Sequence, residues 1–543
     1  MILCGPLRIS AASALRTPSQ RQSTPRYAEE RFYFLNAPDK IGLSLTVRAL
    51  WLLVAKILAF ALSIALPLLL VRRLSQQDFG LYKQAFLVVG SALALLPLGF
   101  QMSAFYFLPR DKDRQGPIIL NILLFHLLMG GLGALVLILF PQLFSTIFHS
   151  GELVSYSSII AAVVFFWVVS SYLEVVSVAH QEARLSTIFI ICAQLTKTGL
   201  LVLAAIAFGS VRALIYAALV QGIVQTIILL IYLRSRFPRF WVSFDWAVLR
   251  MQLSYAIPFG VAGLLFTLQT DLPNYFVSNK FEAKVFAIYA IGVFNIPLVG
   301  MLSESVGAVM IPQVSLLQKH SEHHEIIALA ARVARKLALI YLPLYGFLIV
   351  MGREFLTFLF TSQYAASWPI FAINLTMLPL SIFVSDPIMR AFAEQRQFLP
   401  KLYAALVVLL FVALWLGTSR YGLIWAISVV VGVNIIGRTA TWIKIGSMLG
   451  IRLRDITLLK DVGKIAISAL IAAVITAFVR TAIHGLRPFG MLVVCAAVFG
   501  VIFLAGILLL GLPTIEERGY FKRQVARFWR PALKTVGEPV TRS

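Results

Sequence analysis

Charged residues are scarce in this chain, and acidic residues are the scarcest of them. Asp, Glu, Lys and Arg make up 13% of the 543 residues, whereas 60% are hydrophobic. A soluble globular protein carries about 25% charged residues, so the chain lacks the polar surface that a water-soluble fold would need. Its three cysteines, Cys4, Cys192 and Cys495, stand far apart, which argues against a disulfide framework or a cysteine-based metal site. We expect neither a metal nor a cofactor.

Long runs without a fixed charge recur along the whole sequence, for example from Ile118 to Phe140. A helix of about 20 residues crosses the roughly 30 Å of bilayer hydrocarbon. The strands of a membrane barrel alternate polar and apolar residues, and these runs are continuous. The sequence therefore predicts an all-α polytopic membrane protein with about fourteen transmembrane helices. The predicted spans are 45–71, 81–107, 116–140, 157–180, 186–208, 213–233, 251–277, 284–311, 337–360, 368–390, 402–417, 422–443, 463–483 and 489–512.

Basic residues outnumber acidic ones, with 47 Lys and Arg against 23 Asp and Glu, for a net charge of +24. Most of them fall in alternate loops between the predicted spans, which is the positive-inside pattern and gives no reason to expect a nucleic-acid partner. The pattern favours an even number of spans, with both termini on the cytoplasmic side of the plasma membrane. We expect residues 1–42 to form a disordered cytoplasmic tail and residues 513–543 to form a basic tail on the inner leaflet.

Two short segments resemble each other. Residues 78–82 (DFGLY) and residues 285–289 (VFAIY) both place Phe, a small residue, an aliphatic residue and Tyr at the entry to a span, 207 residues apart. Such a match also arises by chance, but its position agrees with an internal duplication, which is common in secondary transporters. The predicted organisation is a six-helix lobe at 43–233, an amphipathic linker at 234–250, a second six-helix lobe at 251–447 and two additional helices within 448–512.

The chain resembles a known family at two of these places. Residues 72–82 (RRLSQQDFGLY) are similar to the first outer loop of Wzx-type polysaccharide flippases, and residues 255–265 (YAIPFGVAGLL) are similar to their seventh helix. These flippases belong to the multidrug/oligosaccharidyl-lipid/polysaccharide exporter (MOP) superfamily. The resemblance covers roughly residues 45–447. It implies alternating-access export of an undecaprenyl-diphosphate-linked glycan, such as an O-antigen or lipopolysaccharide precursor, across the bacterial inner membrane, in association with a glycan polymerase and a chain-length regulator.

Ionisable groups inside predicted spans are the candidate functional residues, because each costs a few kcal/mol in hydrocarbon and usually faces a cavity or a partner. Lys56 has no local partner, so we expect it to bind the diphosphate, with Arg48 about two turns closer to the cytoplasm. A buried ion pair or a side chain that extends to the interface is the alternative for Lys56. The other residues expected to line the pathway are Gln194, Lys197, Gln269, Asp271, Asn274 and Asn295.

Two acids are candidates for coupling transport to an ion gradient. Glu174 lies at about the same depth as Lys197 on the next span, so the two are expected either to form a structural ion pair or to act as an ion-sensitive pair. Asp271 lies in the most polar cluster of any span, next to Pro273, which would free backbone carbonyls there. The alternative is that this cluster is a helix end at the outer surface.

Three other classes of protein compete with a flippase. A multidrug/cation antiporter of the same superfamily needs an embedded acid in its first half, whereas the first span carries Lys56 and no acid. A glycan polymerase, ligase or lipid-linked glycosyltransferase needs a sizeable outer loop, and the outer loops predicted here are short. A scaffold would leave the charges within the spans without a purpose. We therefore expect a transporter rather than an enzyme.

Overall fold

The computed structural model describes residues 64–512 apart from Lys112, Ser243, residues 393–396 and His484, and also describes Leu58, Ala61 and Leu62. Arg48, Lys56 and the two predicted tails lie outside the described residues. Within the described part, the chain forms α-helices and short 3-10 helices and no β-strand. Nine of the described helices are long and apolar enough to cross a bilayer, and a bent helix pair makes a tenth. The predicted all-α, multi-span membrane protein is confirmed.

The N-terminal half, as far as it is described, comprises residues 64–236. A helical segment at 64–70 is followed by a helix at Gln76–Leu95. This helix makes an angle of 45° with the next helical segment, Phe100–Phe107. The bend lies at Leu98 and Gly99, which both have a positive φ, of 46° and 67°. The helices are α1 (Gln76–Leu95), α2 (Ser103–Phe107), α3 (Gln115–Leu139), α4 (Gln142–Phe148), α5 (Gly151–Ser155), α6 (Ser157–Ser170), α7 (Tyr172–Ala179), α8 (Ala183–Ala207) and α9 (Val211–Arg236), with 3-10 helices at Phe100–Met102 and, after α9, Phe240–Val242.

Helix α1 begins five residues earlier than predicted because its first turn is capped. The Ser75 hydroxyl accepts a hydrogen bond from the Asp78 backbone N–H at 3.0 Å and donates one to the Asp78 carboxylate at 2.6 Å. Ser at the N-cap with an acid in the first turn satisfies otherwise unpaired backbone donors and favours the helix dipole. The consequence is that Lys83 lies in the second turn of this helix rather than at its first residues.

The C-terminal half comprises residues 246–449, and two further helices follow it. Every predicted span after residue 250 has a helical counterpart here. The helices are α10 (Trp246–Lys280), α11 (Ala283–Gly292), α12 (Pro297–Lys319), α13 (His323–Phe360), α14 (Trp368–Leu375), α15 (Met377–Leu380), α16 (Asp386–Ala391), α17 (Phe398–Leu449), α18 (Lys460–Ala482) and α19 (Pro488–Leu509), with 3-10 helices at Ser362–Ser367 and Leu453–Leu459.

Several predicted spans of the C-terminal half are not single straight helices. The span predicted at 284–311 is divided at residues 293–296, because Pro297 lacks an N–H and disfavours a helical conformation at Ile296, whose ψ is 117°. The span predicted at 368–390 is divided into α14, α15 and α16. The spans predicted at 402–417 and 422–443 are the two arms of α17, because the chain reverses at Gly422, with φ 74° and ψ −158°, and Leu406 packs against Gly437.

The two halves share a hydrophobic core. One cluster of buried side chains combines Leu81 on α1 and Leu214 on α9 with Ala287 on α11 and Phe360 on α13. Helices α18 and α19 pack on α13 instead, where Arg480 forms an ion pair with Glu354 at 2.8 Å. The surface between α1 and helices α10 and α11 is where the halves meet, and we call it the seam.

Candidate functional site

The seam is closed by direct contact between backbones at two glycines. A Cβ atom on Gly80 of α1 would lie 1.9 Å from the carbonyl oxygen of Ala283 on α11. On Gly260 of α10, a Cβ atom would lie 2.2 Å from the carbonyl oxygen of Leu98 at the bend that follows α1. Real Cβ atoms do not approach so closely, so only glycine allows the halves to meet here. Gly80 belongs to the first segment of the repeat found in the sequence, and α11 carries the second.

Polar side chains lie along the seam at membrane depth. The Ser91 hydroxyl on α1 donates a hydrogen bond to the Asp271 carboxylate on α10 at 2.7 Å. Gln84, about two turns nearer the start of α1 than Ser91, is 0% exposed, and neither polar atom of its amide has a hydrogen-bond partner among the described residues. A buried polar group without a partner costs about 1–3 kcal/mol. When the halves separate, these groups form a polar surface that is accessible to water or a ligand.

Helix α10 runs without interruption through Pro273, and its rotation decides which predicted residues reach the seam. Each residue turns the helix by about 100°, so Asn274, three residues after Asp271, lies on the same face. Gln269, two residues before Asp271, lies on the opposite face. Asn274 and Gln269 are both half-buried and form no hydrogen bond with any described residue. The structure therefore brings Asp271 and Asn274 together and separates them from Gln269.

The predicted ion pair between Glu174 and Lys197 is wrong. Glu174 is exposed and has no ion-pair partner in the described part of the chain. The Lys197 ammonium lies 4.4 Å from the centre of the Trp167 ring instead, an interaction worth about 0.5–2 kcal/mol. Equal depth on neighbouring helices does not fix the rotation of each helix, and the aromatic face of Trp167 takes the place of the carboxylate. Gln194, also predicted, donates a hydrogen bond to the Thr198 hydroxyl at 3.2 Å on the same helix.

Two further cations within spans were not among the predicted site residues. The Lys83 ammonium lies 5.5 Å from the centre of the Phe79 ring. The Arg438 guanidinium donates to the Leu380 carbonyl at 3.0 Å and to the Ser381 hydroxyl at 3.4 Å, at the interruption that follows α15. Lys83 lies at the start of the predicted span 81–107, and Arg438 lies near the end of the predicted span 422–443. Of the ionisable residues that the structure describes, none forms an ion pair with Lys83, Lys197 or Arg438.

One face of α12 is open. Gly300, Glu304 and Gly307 are four and three residues apart and share this face, and a Cβ atom on either glycine would meet no described residue within 4 Å. Glu304 is exposed, and α12 has both the smallest buried share and the lowest mean hydropathy of the nine candidate spans. Exposed polar residues inside a span face water or a cavity rather than lipid. Asn295, predicted to line the pathway, is exposed in the interruption just before α12. We call the face of Gly300, Glu304 and Gly307 the open face.

The described residues hold no group of three His, Cys, Asp or Glu side chains arranged to bind a metal ion. What the helices offer instead is a polar seam, three cations without acidic partners and an open polar face. Such features suit the passage of a polar or anionic molecule, because a membrane-embedded cation without an internal partner is costly unless it serves a ligand.

Comparison with known proteins agrees with this architecture. The fold is similar to that of "Lipid II flippase MurJ, inward closed conformation", with a TM-score of 0.64 and 13% identity over 86% of this chain and 98% of that chain. It is also similar to an inward-facing multidrug resistance MATE family transporter of the MOP superfamily, with a TM-score of 0.53 and 17% identity over 76% of this chain and 97% of that chain. At these identities the similarity shows a shared fold.

Sequence comparison gives the family. None of the curated proteins matches the chain. The family model described as "Polysaccharide biosynthesis protein" matches residues 69–369, which is more than half of the 543 residues. The match includes α1 to α13 and therefore both sides of the seam, and it confirms the resemblance found in residues 72–82 and 255–265. The chain belongs to the polysaccharide biosynthesis protein family.

Proposed function

We propose that this protein moves a lipid-linked oligosaccharide, with undecaprenyl diphosphate as the carrier, across the bacterial inner membrane. The glycan and its phosphates pass between the two halves while the lipid tail stays in the bilayer. The family supplies the saccharide, and the similarity in fold to a lipid II flippase supports a lipid-linked form. Both termini lie in the cytoplasm, as the distribution of basic residues indicates. A glycan polymerase and a chain-length regulator are the expected partners.

The observation that carries this proposal is the set of three cations without acidic partners, Lys83, Lys197 and Arg438. A diphosphate is costly to transfer into a low-dielectric medium unless positive charge compensates it. Lysine acts as a compact point charge for phosphate, and arginine offers several donors in a planar array. Lys56 and Arg48 are proposed to belong to the same set, from the sequence alone.

Alternating access follows from the contrast between the seam and the open face. The halves touch closely at Gly80 and Gly260, whereas α12 packs mainly on α13 and α16 of its own half. Rocking about the seam would expose Ser91, Asp271 and Gln84 in turn. Asp271 is the proposed site of ion coupling, because its carboxylate is held at the seam by the other half. Glu174, the second candidate for coupling, is exposed and forms no ion pair with a described residue.

The test is transport of a lipid-linked oligosaccharide by the purified protein in sealed vesicles, with Lys83→Gln, Lys197→Gln and Arg438→Gln variants. The expected loss is about tenfold in rate for each removed cation, equivalent to about 1.4 kcal/mol. Lys319→Gln, at the exposed end of α12, is the control and keeps the wild-type rate. Wild-type rates in all three variants would contradict the proposal. Export of a cationic dye without saccharide transport would identify a multidrug/cation antiporter instead.

A further inference from the structure

A polar pocket of about 520 Å³ lies at one end of the seam, between the loop that joins α3 to α6 and the turn from α10 to α11. Under the proposed orientation this is the non-cytoplasmic end. Ala283, which contacts Gly80 across the seam, is part of its wall. We call it the outer pocket. It is lined by Gln77, Phe148, His149, Ser150, Gly151, Glu152, Asn279, Lys280, Phe281, Glu282 and Ala283.

The walls of the outer pocket are fixed by packing and hydrogen bonds. Phe144 and Phe148 of α4 and Leu153 of α5 are buried at 1%, 2% and 0% exposure in the core shared by the two halves. The Asn279 side chain on α10 donates to the carbonyl oxygens of Thr146 and Ile147 at 3.0 and 3.1 Å, at the end of α4. The loop and the helix turn therefore hold each other in place, and the pocket is preformed.

The polar side chains that line this pocket have unused hydrogen-bonding capacity. Gln77, His149, Glu152, Lys280 and Glu282 form no side-chain hydrogen bond and no ion pair with any residue the structure describes. They converge on one concavity from α1, α5, the end of α10 and the segments beside them. Ordinary surface residues do not converge in this way, and a concave site with several convergent polar groups is the usual form of a small-ligand site.

The chemistry of the lining selects among ligands. Two carboxylates and two amide side chains accept hydrogen bonds from hydroxyl groups, and Lys280 donates to their oxygens. Carboxylates beside a single lysine disfavour a phosphate, whose charge they would repel. A neutral polyol suits this mixture, and a volume within the 300–1,000 Å³ typical of ligand pockets admits a short oligosaccharide.

We infer that the outer pocket is a saccharide subsite, which binds sugar rings of the glycan as they leave the seam on the non-cytoplasmic side. The inference rests on the proposed transport function and adds a binding site to it. Sugar hydroxyls bridge Glu152 on the loop and Glu282 on the turn, while the phosphates stay with the cations deeper in the spans. The subsite prevents the glycan from returning before the lipid carrier has crossed.

The decisive variant fills the pocket. Gly151 lines it, has no atom of a described residue within 4 Å of the position of a Cβ and has a φ that any residue adopts, so Gly151→Trp occludes the pocket without a backbone clash. The matched control is Gly463→Trp, an equally open glycine on α18. Glu152→Gln combined with Glu282→Gln removes the carboxylates without adding bulk. The probe is the repeat-unit oligosaccharide released from the host's own surface polysaccharide, measured by saturation-transfer NMR with the protein in nanodiscs.

The oligosaccharide is expected to bind the wild type and Gly463→Trp saturably, and to bind Gly151→Trp at least tenfold more weakly. The double carboxylate variant is expected to bind the oligosaccharide about three- to tenfold more weakly than the wild type. This variant tests the subsite even if Gly151→Trp folds poorly. Equal binding by the wild type and both pocket variants, or no binding by the wild type, overturns the subsite. Transport of the lipid-linked substrate by the wild type is measured on the same preparation. If the wild type does not transport the lipid-linked substrate, the proposed function is contradicted. If it transports this substrate but does not bind the free oligosaccharide, only the subsite is contradicted.

Discussion

The seam and the open face use glycine for opposite purposes. At Gly80 and Gly260 on the seam, an added Cβ would lie within about 2 Å of a backbone carbonyl oxygen of the facing segment. At Gly300 and Gly307 on the open face, it would meet nothing within 4 Å in the part of the chain that the structure describes. The missing side chain allows two backbones to touch in the first case, and in the second it leaves space. The same residue type therefore marks both where the halves are joined and where they are apart.

This difference teaches that the halves are held together along one surface and not around their whole perimeter. A transporter needs such an arrangement, because a closed surface must be able to open while another already lies open. The core shared by α1, α11 and α13 supplies the attachment. The polar groups of the seam lower the cost of opening it to water, since the amide of Gln84 gains hydrogen-bond partners and water replaces the bond between Ser91 and Asp271.

The largest effect is expected for Gly80→Ala. Its methyl group would collide with the Ala283 backbone, which cannot rotate away as a side chain would, so α1 and α11 must separate. We expect destabilisation by about 1–3 kcal/mol or more and loss of most transport, measured by thermal unfolding followed through tryptophan fluorescence and by the vesicle assay. Gly263→Ala on α10, where nothing lies within 4 Å, is the control. An unchanged melting temperature for Gly80→Ala would mean that the seam is not closed.

An intermediate effect is expected from the hydrogen bond that crosses the seam. Ser91→Ala removes the donor to Asp271 and lowers the free energy of unfolding by about 0.5–1.5 kcal/mol. Asp271→Asn keeps an acceptor oxygen for Ser91 and removes the negative charge. This variant should therefore unfold close to the wild-type temperature but transport at a rate independent of an imposed ion gradient. If its transport still follows the gradient as in the wild type, Asp271 has no coupling role.

The smallest effect is expected for Gly300→Ala on the open face. Alanine has a higher helix propensity than glycine, so stability should rise by up to about 1 kcal/mol, and transport should stay within about twofold of the wild type. Thermal unfolding and the vesicle assay measure both. A loss of stability comparable with that of Gly80→Ala would show that this face is packed, and the contrast between the two surfaces would then disappear.

The candidate site was only partly predictable. Asp271, Lys197 and Asn295 stood out because a polar residue inside an apolar run is visible in the sequence, and the prediction that each contributes to the pathway remains to be tested. Lys83 lies at the edge of the predicted span 81–107 and was not selected, because the cap at Ser75 and Asp78 was not recognised as the start of α1. The partner of Lys197 was missed because a π-face carries no charge. Gln84 has no sequence feature that distinguishes it from a glutamine at a helix end.

The sequence by itself determined that the chain spans the membrane many times as helices, and approximately where the spans of the described residues lie. A span is recognised by comparing the length of an apolar run with the thickness of the bilayer. This comparison needs only residues that are adjacent in the chain. Only the tertiary structure decided that Gly80 meets Ala283, that Ser91 meets Asp271 and that Gly300 meets nothing. These contacts depend on the rotation and tilt of each helix relative to its neighbours. Hydropathy carries little information on either, because in lipid the packing of helices depends on shape and hydrogen bonding rather than on the burial of apolar surface.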